Sequence, residues 1–403
     1  MLSVLVLSLT CLPNDARVQS QCRALADAGH LVTAVTVACQ GVLPQLAHGG
    51  RFQNRTFVVP PLYLLAKLRV LPALTAARLP LTVRGILTMA DGFPGVGELR
   101  AVALKEARTL NKPAVVIAND WTALPAALCL AEELGLPFHY DSHELAVEEH
   151  ADRRLWRVTV PPLIAKVEQL GVAQARSFST VSHGIAQAMA ARYGLRQAPA
   201  VVPNISMAVP LPPTPLGAPV RVLYHGLFKT NRGIETLIAS AAIWPDHYQL
   251  TLRGRTSSPG YAAQMTNRVR QCTRPGRIVV EAMVPQLQVV DAANQADIGV
   301  FLPEITLRQN RWALPNKLFE YLAAGLMVIV PAKTEMAEIV ETHRCGLALT
   351  DPSAAGLALC LARLSDQEIA NYKAAAHVAA GKLSWATSWS GFASMLAATA
   401  QPG

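Results

Sequence analysis

Continuous apolar runs rich in Val, Leu and Ile recur along the chain and alternate with segments of helical spacing. In the first half the runs fall at 4–9, 32–38, 115–118 and 138–140, and helical patterns fill 18–29 and 123–135. A strand covered on both faces reads as an unbroken apolar run, whereas a half-exposed strand alternates. The pattern therefore predicts a parallel sheet wrapped by helices on both faces, a doubly wound α/β half. Runs at 220–225, 249–252, 277–280, 298–301 and 327–330, each followed by a turn or helix, repeat the arrangement in the second half. Residues 205–219 between the halves are proline-dense and uncharged, which predicts an extended linker.

The expected organisation is thus two Rossmann-like domains, 1–204 and 220–380, joined by the linker 205–219 and followed by a closing helix in 381–403. That last segment carries Trp385, Trp389, Phe392 and Met395 at helical spacing. It is read as a packing stripe that returns toward the first domain. Ligands of such sheets bind at the carboxyl ends of the strands, so a two-lobed version is expected to hold its site in a central cleft.

Composition narrows the classes. At 403 residues the chain exceeds the roughly 100–200 residues of one domain. With 51% hydrophobic and 16% charged residues it is not a disordered or low-complexity protein. The opening residues 1–11 have no Lys or Arg before their apolar run and read as a buried first strand rather than a signal peptide. No run reaches the roughly 18 apolar residues of a spanning helix, so the protein is expected in the cytoplasm or at the inner face of the membrane. Seven scattered cysteines without a C-x-x-C pair suggest neither a zinc site nor a disulfide framework, and a reduced compartment is expected.

A formal charge of +9 suits an anionic ligand, nucleic acid or an acidic membrane. No nucleic-acid-binding fold or aromatic–basic platform supports the second of these. Between 50 and 90 stand six cations (Arg51, Arg55, Lys67, Arg69, Arg78 and Arg84) and no acid, interleaved with leucines including Leu62, Leu64 and Leu65. Two readings stay open for this stretch. One is an interfacial segment that meets anionic lipid; the other is a core helix pair with a solvated basic rim.

Two segments carry chemistry. The first is V-L-Y-H-G-L-F-K-T-N-R-G-I-E at 222–235, a strand, a loop with two glycines and two cations, and a helix start. Backbone N–H groups at a helix start beside Lys229 and Arg232 would hold a diphosphate, with Gly226 giving the close approach. The string is neither a Walker A loop nor a G-x-G-x-x-G fingerprint, and an ordinary strand-to-helix turn remains the alternative. The second is L-P-N-K-L-F-E-Y-L-A-A-G at 314–325, where Pro315, Asn316 and Lys317 open a helix and Glu320 lies one turn in. A carboxylate there can accept hydrogen bonds from both hydroxyls of a ribose, or can merely favour the helix dipole.

These two strings, with Y-D-S-H-E at 140–144 and V-S-H-G-I at 181–185, together resemble glycosyltransferase family 4 over nearly the whole chain and in the same order. The resemblance implies a GT-B fold and retaining transfer of a sugar from a nucleotide-diphosphate donor, expected to be UDP-linked. The acceptor would be a saccharide or a polyprenyl-diphosphate-linked glycan, as in surface polysaccharide or glycoconjugate synthesis. It gives Glu320 the donor ribose, Arg232 the leaving diphosphate with Lys317, Lys229 and Arg253 as helpers, and His143 the transferred sugar. Arg232, Lys317 and His143 are the catalytic candidates. On the acceptor side it points to Asp120 in N-D-W at 119–121 and to Asp15 and Arg17 in the loop after the first strand; for that loop a helix N-cap is the competing use. The family's first glutamate falls on Trp312, so the sugar contacts there are expected from backbone N–H groups of 313–316 or from another side chain. No cofactor is expected, and no metal, because the chain has no Asp-x-Asp. A sugar-nucleotide epimerase of the same fold and a non-catalytic sugar-nucleotide-binding partner are the alternatives.

Overall fold

Parallel pairing carries both sheets of the computed structural model, which describes residues 1–39, 51–59, 83–151, 154–256, 258–272 and 276–400. The chain divides into one unit of Met1–Pro203 with Ala386–Gly403 and a second of Asn204–Trp385.

In the first unit the described strands are β1 (Ser3–Leu7), β2 (Leu31–Val37), β3 (Phe52–Phe57), β4 (Ala114–Asn119), β5 (Phe138–Ser142), β6 (Ser177–Thr180) and β7 (Ala200–Val201). They lie in the order β3-β2-β1-β4-β5-β6-β7, all pairs parallel. Strands β1 and β4 hold the centre and are buried at every position, and apart from Ser3 and Asn119 at their ends they are apolar throughout. Strand β3 takes the edge, where its alternating polar residues meet solvent. The order reverses between β1 and β4, so the loops after those two strands diverge at a switch point where α/β ligands bind. From Ala386 on, the helix Trp385–Thr399 belongs to this unit and buries Trp389, Phe392 and Leu396, with Phe392 edge-on to His139 at 5.3 Å.

The second unit orders its described strands β10-β9-β8-β11-β12-β13. These are β8 (Val220–Leu227), β9 (Tyr248–Arg255), β10 (Ile278–Glu281), β11 (Ile298–Val300), β12 (Met327–Pro331) and β13 (Gly346–Leu349). Its switch point lies between β8 and β11. Tyr224, Trp244, Tyr248 and Tyr321 are fully buried in its core. The proline-dense segment is strapped to this unit: Leu211 N donates to Ala323 O at 2.7 Å and Thr214 Oγ1 to Asn294 O at 3.0 Å. Asp297, wholly buried, binds Gly217 N, Arg221 and the buried Lys373, the last at 2.7 Å. That network ties the segment and the helix Asp366–Lys382 to the sheet, since a buried charge is tolerated only when paired.

Two sequence expectations are corrected. Cys11 and Cys39 form a disulfide with Cα atoms 6.0 Å apart. Parallel pairing of β1 with β2 brings the residues beyond their carboxyl ends together, which a separation of 28 residues conceals. Arg55 is not unopposed, because its Nε lies 3.1 Å from Glu106 Oε2 of the helix Val96–Ala107. Arg51 is exposed. Leu62, Leu64, Leu65, Lys67, Arg69 and Arg78 lie outside the described residues, as does the side chain of Arg84.

Candidate functional site

The second unit gathers its candidate residues at the carboxyl ends of β8, β9 and β11 and at the start of the helix Asn316–Ala323. Strand β8 carries Tyr224, His225 and Gly226 near its carboxyl end. Gly226 has φ +118°, a region that favours glycine, and in register it faces Gly254 of β9, where an added Cβ would fall 1.9 Å from Gly226 O. The chain then turns into the helix Ile234–Ala241 through Gly233 at φ +77°, where a Cβ would meet Leu302 O at 2.1 Å. The loop fits closely because neither Gly254 nor Gly233 carries a side chain.

Lys317 reaches over that loop. Its Nζ stands 3.9 Å from the Tyr224 ring centroid and 4.2 Å from that of Phe301, and the Arg232 guanidinium lies 6.0 Å from the Phe301 ring. Aromatic faces attract cations, so the two rings hold two positive groups close together. Burial drives the Lys317 amine well below the usual lysine value, Arg232 pushes the same way, and Glu320 opposes both. An anion between the cations would relieve their repulsion. The first-turn N–H groups of Asn316 and Lys317 have no carbonyl one turn earlier within their helix, as is general at helix starts.

One turn further on, Glu320 is buried and held from two sides. His225 Nε2 lies 2.9 Å from Oε2, and Gln286 Nε2 donates to Oε1 at 2.8 Å. Burial pushes the carboxyl up, but His225, Gln286 and Lys317 outweigh it and keep the group below the usual glutamate value. Arg253, one strand over, donates from Nε to Glu281 Oε2 at 2.7 Å. Its Nη1 is buried and has no hydrogen-bond partner among the described residues, a donor left open. Lys229 is half-buried, and its carbonyl accepts from Tyr261 Oη at 3.4 Å.

Trp312 closes the short helix Arg308–Trp312, with the Arg308 guanidinium 5.3 Å from its ring. Of the backbone donors expected to replace a glutamate here, Ala313 N is already spent on Gln309 O at 2.9 Å. Nearby, Thr230, Asn231, Gly233, Glu235, Leu302 and Glu304 line part of a cavity of about 500 Å³. His225, Gln286 and Tyr321 were not singled out in the sequence; only the position of His225 before Gly226 pointed toward it.

In the first unit His143 follows β5. Its Nδ1 lies 3.1 Å from Asp120 Oδ2 and its Nε2 3.3 Å from Asp141 Oδ2, while its backbone N–H donates to Asp120 Oδ1 at 2.9 Å. Burial would lower the imidazole's pKa, but the two carboxylates outweigh it and raise it to about 10. Asp120 sits at φ +61° in the loop after β4. Arg17, expected on the acceptor side, is turned inward. It grips Asp141 and also donates to Val202 O at 2.7 Å, because the buried Asp141 needs a cation more than the surface does. Asp15 accepts from Val18 N at 3.0 Å and so caps the helix Ala16–Asp27, the competing use named for it. Among the described residues no group of three or more His, Cys, Asp or Glu could hold a metal ion.

Comparison with known proteins bears out the resemblance. Residues 15–204 match the glycosyl transferase 4-like domain and residues 219–367 the glycosyl transferases group 1 domain. No curated protein matches by sequence. Among solved structures, sucrose-phosphate synthase from Thermosynechococcus elongatus is 17% identical, covers 98% of each chain and superposes with a TM-score of 0.70. A trehalose-6-phosphate structure from E. coli bound with UDP-2-fluoro glucose is 13% identical, covers 100% of this chain and 99% of its own, and gives 0.67. An α,α-trehalose-phosphate synthase (UDP-forming) from Burkholderia xenovorans, in complex with glucose-6-phosphate, is 12% identical, covers 98% and 99%, and gives 0.66. At these identities the likeness is one of fold, and that fold is GT-B.

Proposed function

Since the chain belongs to the GT-B glycosyltransferases, joining a glycosyl transferase 4-like domain to a group 1 domain, we propose that it moves a sugar, with retention, from a nucleotide-diphosphate donor to a saccharide acceptor. One observation carries the reading: Glu320, a buried carboxylate with a nitrogen held against each oxygen, stands one helical turn from Lys317, which reaches over the glycine loop bearing Arg232. A ribose-binding carboxylate and a cationic diphosphate cradle at that spacing fit a nucleoside diphosphate better than a phosphate or a sugar alone. The UDP sugar and the sugar phosphate in two of the neighbours motivate a UDP-sugar donor and a saccharide acceptor.

In this proposal Arg232 and Lys317 stabilise the charge that grows on the diphosphate as the sugar leaves, which is the main electrostatic demand of the step. His143, held as a cation, donates to a sugar hydroxyl and does not accept a proton. With fixed cations at the diphosphate the reaction is proposed to need no divalent ion. The acceptor is proposed to be a glycan in polysaccharide or glycoconjugate assembly, carried on a polyprenyl diphosphate when the protein docks on anionic membrane.

Trp312 favours a second reading, a sugar-nucleotide-binding partner without turnover, because the ring occupies the position where the resemblance expects a glutamate. Labelled nucleotide sugars incubated with saccharide acceptors and with membrane lipids, with and without EDTA, separate the cases. Transfer that survives EDTA supports the proposal; tight binding with neither transfer nor donor epimerisation supports the second reading.

A further inference from the structure

We propose that His225 is a positioning residue which, together with Gln286, aims the Glu320 carboxylate at a ribose and thereby sets the site's preference for ribonucleotides. The inference rests on the nucleotide-sugar reading above and deepens it.

Three observations place the side chain in that role. Its Nε2 lies 2.9 Å from Glu320 Oε2 while Gln286 holds Oε1 at 2.8 Å, so each carboxylate oxygen carries one fixed contact. An ionised carboxylate offers two acceptor sites on each oxygen, and one on each is therefore left for a ligand's hydroxyls. Second, the imidazole is itself fixed. Its ring packs 4.7 Å from the Tyr321 ring, and its backbone N–H donates to Tyr321 Oη at 3.2 Å. Rotation of Glu320 would have to displace a strand end and a neighbour of its own helix. Third, His225 is buried and neither ring nitrogen makes a hydrogen bond among the described residues, so the only polar group set against the ring is the Glu320 carboxylate, 2.9 Å from Nε2. An apolar residue would fill that space without leaving a nitrogen unpaired, so packing alone gives no reason for histidine.

A carboxylate bonded from one side only can swing, and a swinging acceptor distinguishes poorly between a ribose and a 2′-deoxyribose. A carboxylate held on both oxygens presents fixed lone pairs, and a ligand lacking a hydroxyl leaves one of them unmatched in a buried site.

Titration calorimetry on the full chain tests this with UDP, GDP and ADP, followed by the 2′-deoxy form of whichever binds. Wild type is expected to prefer the ribose form by roughly tenfold or more. His225→Ala should bring the two forms within about threefold by weakening the ribose form selectively. His225→Gln, whose amide nitrogen has similar reach, should restore most of the preference, and Glu320→Gln should abolish it with no further loss on adding His225→Ala. Equal weakening of both forms in His225→Ala without rescue by His225→Gln would make the residue a packing element and overturn the proposal. So would an unchanged preference in His225→Ala. If wild type binds none of the three diphosphates, the nucleotide-sugar reading itself fails and this proposal falls with it.

Discussion

The Arg17 guanidinium grips Asp141 through two hydrogen bonds, Nε to Oδ2 at 2.7 Å and Nη2 to Oδ1 at 2.6 Å, across 124 residues of sequence. Ser179 Oγ, at 2.6 Å, and Gln21 add donors to the same carboxylate. Asp141 in turn faces His143 Nε2, so the Arg17 pair fixes the anion against which the imidazole is set. The Arg17 guanidinium also stands 5.4 Å from the Trp389 ring, which ties the closing helix to the same cluster.

Arg17→Ala should therefore be among the most damaging single changes in the first unit. It leaves a buried carboxylate without its cation, a loss of about 3–5 kcal/mol. Chemical denaturation followed in the first unit measures it. A cost below about 1 kcal/mol would mean that water reaches Asp141 and that the pair behaves like an exposed one.

His143 predicts a pH dependence. Its pKa is raised from 6.5 to about 10 in the folded chain, so its ion pairs contribute fully below the unfolded value of about 6.5 and are lost as pH rises through 10. The stability difference between wild type and His143→Asn should be constant below pH 6 and should shrink between pH 7 and 10. A difference that grew with pH would show that the ring is neutral in the fold.

Lys317 predicts proton uptake. Burial keeps its amine well below the usual lysine value, and a bound diphosphate would favour the charged form. Calorimetry in two buffers of different ionisation enthalpy should show net uptake on nucleoside diphosphate binding, lost in Lys317→Arg. Binding with no proton exchange in wild type would place the diphosphate away from this amine.

Gly233 and Gly194 make a controlled pair. Both have positive φ, +77° and +63°, but a Cβ at Gly233 would strike Leu302 O whereas Gly194 has nothing within 4 Å. Gly194→Ala should cost about 1 kcal/mol from backbone conformation alone, and Gly233→Ala clearly more, with weakened diphosphate binding. Thermal midpoints and calorimetry on both variants check the order. Equal costs would show that the loop at 226–233 moves freely.

The central strands were legible because β1, β4 and β12 are buried at every position, and β8 from Val222 to His225, so their sequences must be largely apolar. Strands β3, β6 and β13 were not read from the sequence. β3 is a polar edge, β6 is the short S-F-S-T whose serines bind His139, and β13 is a four-residue strand beside β12. For the site, Glu320, Lys317 and Arg232 stood in recognisable strings. The partners of Glu320 did not, because His225 comes from the end of β8 and Gln286 from the short 3-10 helix Gln286–Gln288 beyond β10, and only the sheet order brings them to one carboxylate. The inward turn of Arg17 was hidden for the same reason: its partner lies 124 residues away.

The most direct test of the central claim is nuclear magnetic resonance of the reaction itself, with a panel of nucleotide sugars, saccharide acceptors and the wild-type chain. The wild-type reaction should release a nucleoside diphosphate together with a glycoside that keeps the donor's anomeric configuration, and Glu320→Ala should lose both. A product of inverted configuration, or transfer unaffected by Glu320→Ala, would contradict it.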